Sequence, residues 1–368
     1  MINVERLSKF CEFEKLKESW NRLRENQSGE DMIFLAHEWF DCWWRCYADD
    51  AQLFILEVKE NDRLLGIAPL MLRKAFLRGL PIRLLSFIDN GNSGHNDFII
   101  EATRRREVLK AMFSYLREYH KEWDVLELKR IPPESSSVRF IQDVLRSEPI
   151  PFLKKAGTDA PYLRIEHDWR TFYNRLSNKK KKTLRNIQNR ISREGGYVVK
   201  RITDFHDYQA IKPDLRDIVR NSWSAHHKSS LNRPENINFI DGLSLWAGSN
   251  GFLQLWLLSV NNQPIAYEYH LRYRNRVHGL RSSFNKNFGH LSPGAFLDYQ
   301  IIKYYHECGE IAEYDMGGSA DFYKRQWTKN VRRHTTFHIF SLNPYSRIVY
   351  FYELFSEFFL KHFRKYFL

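Results

Sequence analysis

Two stretches of the chain hold side chains suited to proton chemistry. In "IAYEYHLRY" (265–273), a period of two puts Tyr267, Tyr269 and Leu271 on one face of a strand and Glu268 with His270 on the other. A carboxylate beside an imidazole forms a proton relay. In "EYDMGGSADFYKRQW" (313–327), Asp315 ends an apolar strand, where a carboxylate needs a reason to exist. Asp315 and Glu268 therefore compete for the role of general base. Gly317 and Gly318 follow, and glycine lets a ligand approach the backbone closely. Tyr323 and Lys324 follow after a short polar turn. A third polar stretch, "GNSGHND" (91–97), offers His95, Asn96 and Asp97 as the lining of a substrate pocket.

No metal is expected. The four cysteines, Cys11, Cys42, Cys46 and Cys308, match no zinc spacing. His226 and His227 are adjacent and cannot share one face of a helix. Hydrophobic residues make up 43% of the 368 positions and aromatic ones 15%, which supplies large cores and excludes disordered and fibrous classes. The charged N-terminus "MINVERLSKFCEFEKLKESW" lacks the apolar centre of a signal peptide, and no apolar run of about 18 residues occurs, so a cytoplasmic protein is expected. The formal net charge of +13 predicts attraction to polyanions: nucleic acid, anionic lipid or phosphorylated small molecules.

The elements that must position these residues follow from periodicity. Residues 1–50 read as helical, with Leu16, Trp20 and Leu23 at helical spacing. "QLFILEVKENDRLLGIAPLMLR" reads as a hairpin around "KEND", and "IRLLSFID" as a third strand. A loop, a helix (105–120), the strand "DVLELKRI" and a second helix follow. The middle holds the basic helical stretch "WRTFYNRLSNKKKKTLRNIQNRISREGG", with Leu184, Ile187 and Ile191 on one face. A helical reading then extends to about residue 248 and includes "NSWSAHHK". From 252 the first order returns: a hairpin turning at Asn261-Asn262, a strand, a loop, the helix "AFLDYQIIKYYHECG", the strand "IAEYDM", the helix "SADFYKRQW" and the strand "TTFHIFSL". The order of elements repeats without residue identity.

That order, together with "FLAHEWFDCWW", "LSNKKKKTLRN", "NSW", "LSPGAFLDYQII", "YDMGG" and "FYKRQW", resembles the CelD-like group of GNAT acyltransferases from bacterial polysaccharide clusters, a group related to the Fem-type peptidyltransferases. The resemblance implies an α/β (α+β) fold of two GNAT-like lobes, each a mixed central sheet flanked by helices, the first lobe degenerate. The divisions expected are a lobe at 1–160, a basic helical connection and start of the second lobe at 161–250, a C-terminal core at 251–344 and an amphipathic helix at 345–368.

The resemblance further implies acetyl-coenzyme A, or another acyl-coenzyme A, as co-substrate. Its pyrophosphate would meet the turn "HLSPGAF", where Ser292, Gly294 and Ala295 offer backbone N–H groups at a helix start. This loop has one glycine where the usual signature has two or three. Lys324 would hold a developing oxyanion or a substrate phosphate, and Tyr323 would protonate the departing thiolate. Gly317, Gly318 and His270 would border the substrate. The expected activity is N-acylation of an amino sugar or similar amine in envelope or extracellular polysaccharide synthesis. The alternatives are a Fem-like transferase using aminoacyl-tRNA on a cell-wall precursor, and a non-catalytic subunit of a polysaccharide synthase.

Two further features bear on partners. Lys179 to Lys182 with Arg185, Arg190 and Arg193 form the strongest basic run, read either as a solvated face or as a contact for a phosphate-rich partner such as a lipid-linked sugar. In the tail, Ile348, Tyr352, Phe355, Phe359 and Phe363 make an apolar stripe opposite Glu353, Glu357, Lys361 and Arg364, with Lys365 beyond. Such a helix packs on the protein or lies in a membrane interface.

Overall fold

The computed structural model describes residues 2–27, 33–148, 150–318 and 320–364, without side chains beyond 358. In chain order the elements are β1 (Ile2–Leu7), α1 (Phe10–Lys15), α2 (Lys17–Glu25), α3 (His37–Tyr47), β2 (Gln52–Leu53), β3 (Ile55–Glu60), β4 (Arg63–Ala68), β5 (Leu70–Leu77), β6 (Leu80–Phe87) and β7 (Ile99–Ile100). Then come α4 (Arg105–Glu118), β8 (Val125–Ile131), α5 (Ser137–Ser147), β9 (Phe152–Arg164), α6 (Trp169–Arg175), α7 (Asn178–Arg193), β10 (Tyr197–Ile202), α8 (Phe205–Arg220) and α9 (Pro234–Ser249). The chain finishes with β11 (Leu253–Val260), β12 (Gln263–Tyr273), β13 (Arg276–Phe284), α10 (Pro293–Glu307), β14 (Glu313–Asp315), α11 (Phe322–Arg325), β15 (Val331–Phe340) and α12 (Pro344–Arg364).

The elements divide into two units. Unit 1 holds residues 1–44, 48–158 and 333–368, and unit 2 holds 45–47 and 159–332. The division moves the last strand. The sequence reading put "TTFHIFSL" in the C-terminal core, but β15 from Arg333 onward pairs with β8 in unit 1, where Phe337, Ile339 and Phe340 are buried.

Unit 1 carries an antiparallel sheet β1-β3-β4-β7 and a second sheet in which β2, β5, β6, β8, β15 and the first half of β9 are neighbours in that order. Its core joins β3, β4 and β8 to α4 and α5 through residues such as Val58, Leu65, Leu109, Phe113, Leu126 and Ile141. In unit 2 the order is β10-β11-β12-β13-β14 and the second half of β9. Here α10 and α7 pack on the sheet through Phe296, Leu297, Ile301, Leu184, Ile187 and Ile191. Both units use the same device. A parallel pair, β6 with β8 and β13 with β14, is joined across a crossover helix, α4 or α10. The hairpins β3–β4 and β11–β12 both turn on two residues at positive φ, Asn61-Asp62 and Asn261-Asn262, which matches the right-handed strand twist.

Three local readings change and one strand is new. Residues 2–7 form a strand, not a helix, paired with β3 from Ile2↔Glu60 to Leu7↔Ile55. "NSWSAHHK" lies in turns between α8 and α9, where serine hydroxyls compete for the backbone: Ser222 Oγ donates to Val219 O (2.8 Å) and accepts from Ser224 N–H (3.1 Å). The helix in "SADFYKRQW" is only four residues long. "FLKKAGTDAPYLR" forms β9, a strand that Gly157 and Pro161 obscure in the sequence.

Candidate active site

The site of unit 2 begins where two parallel strands part. β13 and β14 pair from Arg276↔Glu313 to His278↔Asp315 and no further. At the same level the β12–β13 ladder shifts register: Tyr269 faces Arg281 while His270 faces Gly279, so Leu280 is an extra residue. Past this bulge β13 leans away, and its residues Gly279 to Phe284 line a cavity of about 520 Å³. Gly317 and Gly318 turn the chain out of β14 at φ 62° and 60°. A Cβ on Gly317 would lie 2.2 Å from the carbonyl oxygen of Gly279, so the strand crossing admits no side chain. The double glycine is set by backbone geometry at the cavity wall.

Inside the cavity a carboxyl pair meets an aromatic and imidazole network. Glu268 on β12 and Asp298 on α10 are buried and hydrogen-bonded to each other. Glu268 Oε2 also lies 3.0 Å from His270 Nε2 and accepts from Tyr314 OH at 3.4 Å. His270 Nδ1 lies 2.8 Å from Tyr305 OH. Burial dominates the electrostatics. It raises Glu268 to about 7, against hydrogen bonds from Asp298 and Tyr314 and the charge of Lys324. It pushes Asp298 well above the usual carboxylate range, helped by the neighbouring Glu268. It lowers His270 to about 3, so this imidazole is neutral and acts as a hydrogen-bond partner.

Opposite stands Lys324. Its ammonium is buried, donates to Gly317 O at 2.5 Å and lies 3.7 Å from Asp321. Burial lowers its pKa, while Asp321, Asp315, Asp298 and Glu268 work against that shift. Tyr323 also lines the cavity, and burial raises its phenol, which keeps it protonated at neutral pH. The start of α10 closes another side. Ser292 sits in the left-handed region (φ 55°), Pro293 opens the helix, and Ser292, Gly294 and Ala295 all line the cavity. The Ser292 N–H already donates to Gly289 O (3.0 Å), so the free donors of this first turn are those of Gly294 and Ala295. The basic helix α7 reaches the same turn, where Arg190 donates to Ser292 Oγ at 3.1 Å.

The structure thus brings together Glu268, His270, Ser292, Gly294, Ala295, Gly317, Gly318, Tyr323 and Lys324. It does not bring in the other three. Asp315 points away: its carboxylate pairs with Arg332 (2.8 Å) and accepts from Gly317 N–H (2.8 Å), bracing the glycine turn. His95 and Asp97 belong to unit 1. Asp97 is buried against Ser135 and Arg105, and His95 packs edge-on to Phe34. Sequence reasoning missed Asp298, Tyr314 and the indole of Trp223 at the rim. A signal for Asp298 existed. It falls on the apolar stripe of α10 with Ile301, Ile302 and Tyr305, where a carboxylate is out of place.

Three comparisons bear on this geometry. Residues 178–325 match the model of the acetyltransferase (GNAT) domain. The solved structure of FemX covers 94% of this chain and 100% of its own, at 12% identity and a TM-score of 0.59. The C-terminal DUF2156 domain of a putative lysylphosphatidylglycerol synthetase from Agrobacterium fabrum covers 89% and 92%, at 10% identity and a TM-score of 0.56. L-PGS from Bacillus licheniformis covers 91% and 94%, at 12% identity and 0.54. At such identities the likeness is one of fold, a mixed α/β architecture shared over nearly the whole chain. No curated protein matches the sequence.

Proposed function

Proceeding from a GNAT-type acyltransferase domain at residues 178–325, we propose that the protein transfers an acyl group, acetyl as the first candidate, from coenzyme A to the amine of an amino sugar. The observation that carries this reading is the buried Glu268–Asp298 pair lining one cavity with Lys324 where β13 and β14 part. The amine nitrogen attacks the thioester carbonyl, the C–N bond forms and the C–S bond breaks. The amine proton passes to Glu268, whose value near 7 suits a base at neutral pH. Backbone N–H groups where β13 bulges at Leu280 and the Lys324 ammonium would meet the carbonyl oxygen as it gains charge. Tyr323 gives its proton to the leaving thiolate. The first turn of α10, with Gly294 and Ala295, receives the donor's phosphates. Trp223, 73% exposed at the rim, offers a flat surface on which a sugar ring stacks.

A second reading keeps the acceptor open and takes aminoacyl-tRNA as donor. The basic helix α7 beside the α10 turn favours it. Calorimetry with acetyl-coenzyme A, free coenzyme A and longer acyl-coenzyme A decides between them. Micromolar binding that weakens in Gly294→Trp supports the first reading, and release of thiol with an amino sugar completes it. Absence of binding to every acyl-coenzyme A overturns it in favour of the second. If neither donor class binds and Lys324→Ala leaves biological output unchanged, the accessory-subunit reading stands instead.

The proposed place of work is a membrane surface. Among the described residues no helix is long and apolar enough to cross a membrane. Yet α12 presents Ile348, Phe351, Phe355 and Phe358 outward, while Glu353, 2% exposed, is turned in against Arg78 and Lys155. Phe359, Lys361, Phe363, Arg364 and Lys365 lie outside the described side chains. An outward aromatic face on a chain of net charge +13 fits the interface of an anionic bilayer. The parent protein should float with anionic liposomes and Phe351→Ser/Phe355→Ser should not; equal flotation of both removes α12 as the anchor.

A further inference from the structure

One lysine of the basic run on α7 is turned away from solvent. Lys180, Leu184, Ile187 and Ile191 are spaced i, i+4, i+7 and i+11, so Lys180 continues the apolar stripe that packs this helix on unit 2. Lys179, Lys182, Arg185, Arg190 and Arg193 are exposed, and Lys181 donates to Asn174 O at 2.7 Å. Lys180 is half-buried. It also stands in the first turn of α7, where its backbone N–H donates to the capping Ser177 Oγ at 3.2 Å and a cation works against the helix dipole. A lysine is thus out of place here twice, on an apolar stripe and at the wrong end of a helix. Its contacts supply the reason.

The ammonium lies 3.9 Å from the centre of the Trp327 ring, a cation–π contact, and donates to Gln326 Oε1 at 3.1 Å. Among the described residues no carboxylate forms an ion pair with it. Burial lowers its pKa, and the charge of Asp298 opposes that shift. Gln326 and Trp327 follow directly on α11, the turn that brings Tyr323 and Lys324 to the transfer cavity.

That turn needs support from elsewhere, because four residues are too few for a helix to persist by itself. Several of its bonds are local. The N–H groups of Lys324 and Arg325 each donate to Asp321 O at 3.1 Å, Lys324 Nζ donates to Gly317 O, and Arg325 Nε donates to Ala320 O at 2.8 Å. Contacts from distant segments come from β9, where Tyr162 O accepts from Thr328 Oγ1 at 2.8 Å, and from Lys180 on α7. Trp327 N–H in turn donates to Lys324 O at 2.9 Å, which ties the indole under Lys180 to the backbone of the lysine in the site.

We propose that Lys180 is a positioning residue of the transfer site: seated on Trp327 and Gln326, it fixes the α11 turn and with it the places of Lys324 and Tyr323. Its consequence for catalysis rests on the acyl-transfer reading, whereas its hold on the turn does not.

Nuclear magnetic resonance of the full chain, grown with lysine labelled with carbon-13 at Cε, gives a readout without substrate. Arginine variants assign the Lys180 and Lys324 signals. The Lys180 signal should lie upfield of the exposed lysines, because it sits over the indole ring. Lys180→Met should displace or broaden the Lys324 signal. Methionine suits the apolar stripe, so the fold is kept. Lys180→Arg keeps a cation on the ring and should leave the Lys324 signal in place. With acetyl-coenzyme A and an amino sugar, Lys180→Met should lower kcat about three- to thirtyfold with KM little changed, and Lys180→Arg should recover most of the loss. An unmoved Lys324 signal in Lys180→Met overturns the proposal. So does an equal loss in both variants, or a rise in KM alone, which would make Lys180 a substrate contact. If the parent turns over no acyl-coenzyme A, the transfer reading fails, and the Lys324 signal alone decides whether Lys180 sets the turn.

Discussion

At the residue scale the transfer site rests on a few ionisable groups whose burial sets their protonation. As the proposed base Glu268 acts only when deprotonated, so kcat/KM should rise with pH through about 7 and level off above it. Glu268→Gln should remove that limb and lower the rate by about 10²–10⁴-fold. The same shift has a sign in stability. A carboxyl raised from 4.5 to about 7 binds its proton more tightly in the folded chain. Its contribution is present below the unfolded value and is lost as pH rises from 4.5 to about 7. Glu268→Gln should therefore melt higher than the parent at pH 8, a comparison calorimetry makes directly. In the proposed reaction Lys324 serves the other half. If its ammonium meets charge that exists only in the transition state, Lys324→Ala should lower kcat by about 10²–10³-fold with little change in KM. A KM effect alone would make it a binding residue for a substrate phosphate. Glu268 was legible from strand alternation, and Tyr323 and Lys324 because their types and order matched a family pattern. Asp298 was not, because helical spacing had to be turned into a buried face before its carboxylate stood out. Asp315 stood as a competing candidate base for a related reason: nothing in the sequence announces Arg332, which claims it.

At the scale of elements the decisive part is the turn between β14 and α11. Both glycines adopt positive φ, and Gly317 also passes against Gly279 O. Gly317→Ala meets both constraints. Backbone strain of about 1–3 kcal/mol plus a contact too short to keep should lower the melting temperature by several degrees. It should also move Gly317 O, the acceptor that holds Lys324, so activity should fall with stability in thermal and steady-state assays alike. Gly318→Ala is gentler, since its Cβ would meet the end of a flexible side chain, Lys324 Nζ, at 3.2 Å. The hairpins of both units were readable from Asn-rich turns, and α7 from Leu184, Ile187 and Ile191, because local chemistry suffices for each. β1 was not. Asn3 and the adjacent Glu5-Arg6 leave no strict alternation with Ile2, Val4 and Leu7, and only pairing with β3 fixes that segment as a strand.

At the scale of the whole molecule, the chain leaves unit 1 within β9 and returns within β15, so unit 1 is closed by residues from both ends of the sequence. Ending the chain at Arg332 should remove more than a tail. It deletes Phe337, Ile339 and Phe340 from the core of unit 1, each worth about 1.5–3 kcal/mol, out of a total stability of about 5–15 kcal/mol. The truncated protein should aggregate or lose cooperative urea unfolding, whereas a cut after Asn343 should leave β15 paired and a cooperative transition in place. The sequence alone determined the α/β class, the repeated hairpin–strand–helix–strand order, the glycine turn and most side chains that meet in unit 2. These rest on periodicity, turn chemistry and motif order, all of which act over a few residues. Tertiary structure alone decided which strand closes which unit, that Asp298 joins Glu268, that Arg332 takes Asp315, that His95 and Asp97 serve another core, and that α12 turns its aromatic face outward. Each of these depends on contacts between residues far apart in the chain, and the burial and charge that govern them exist only once those residues have met.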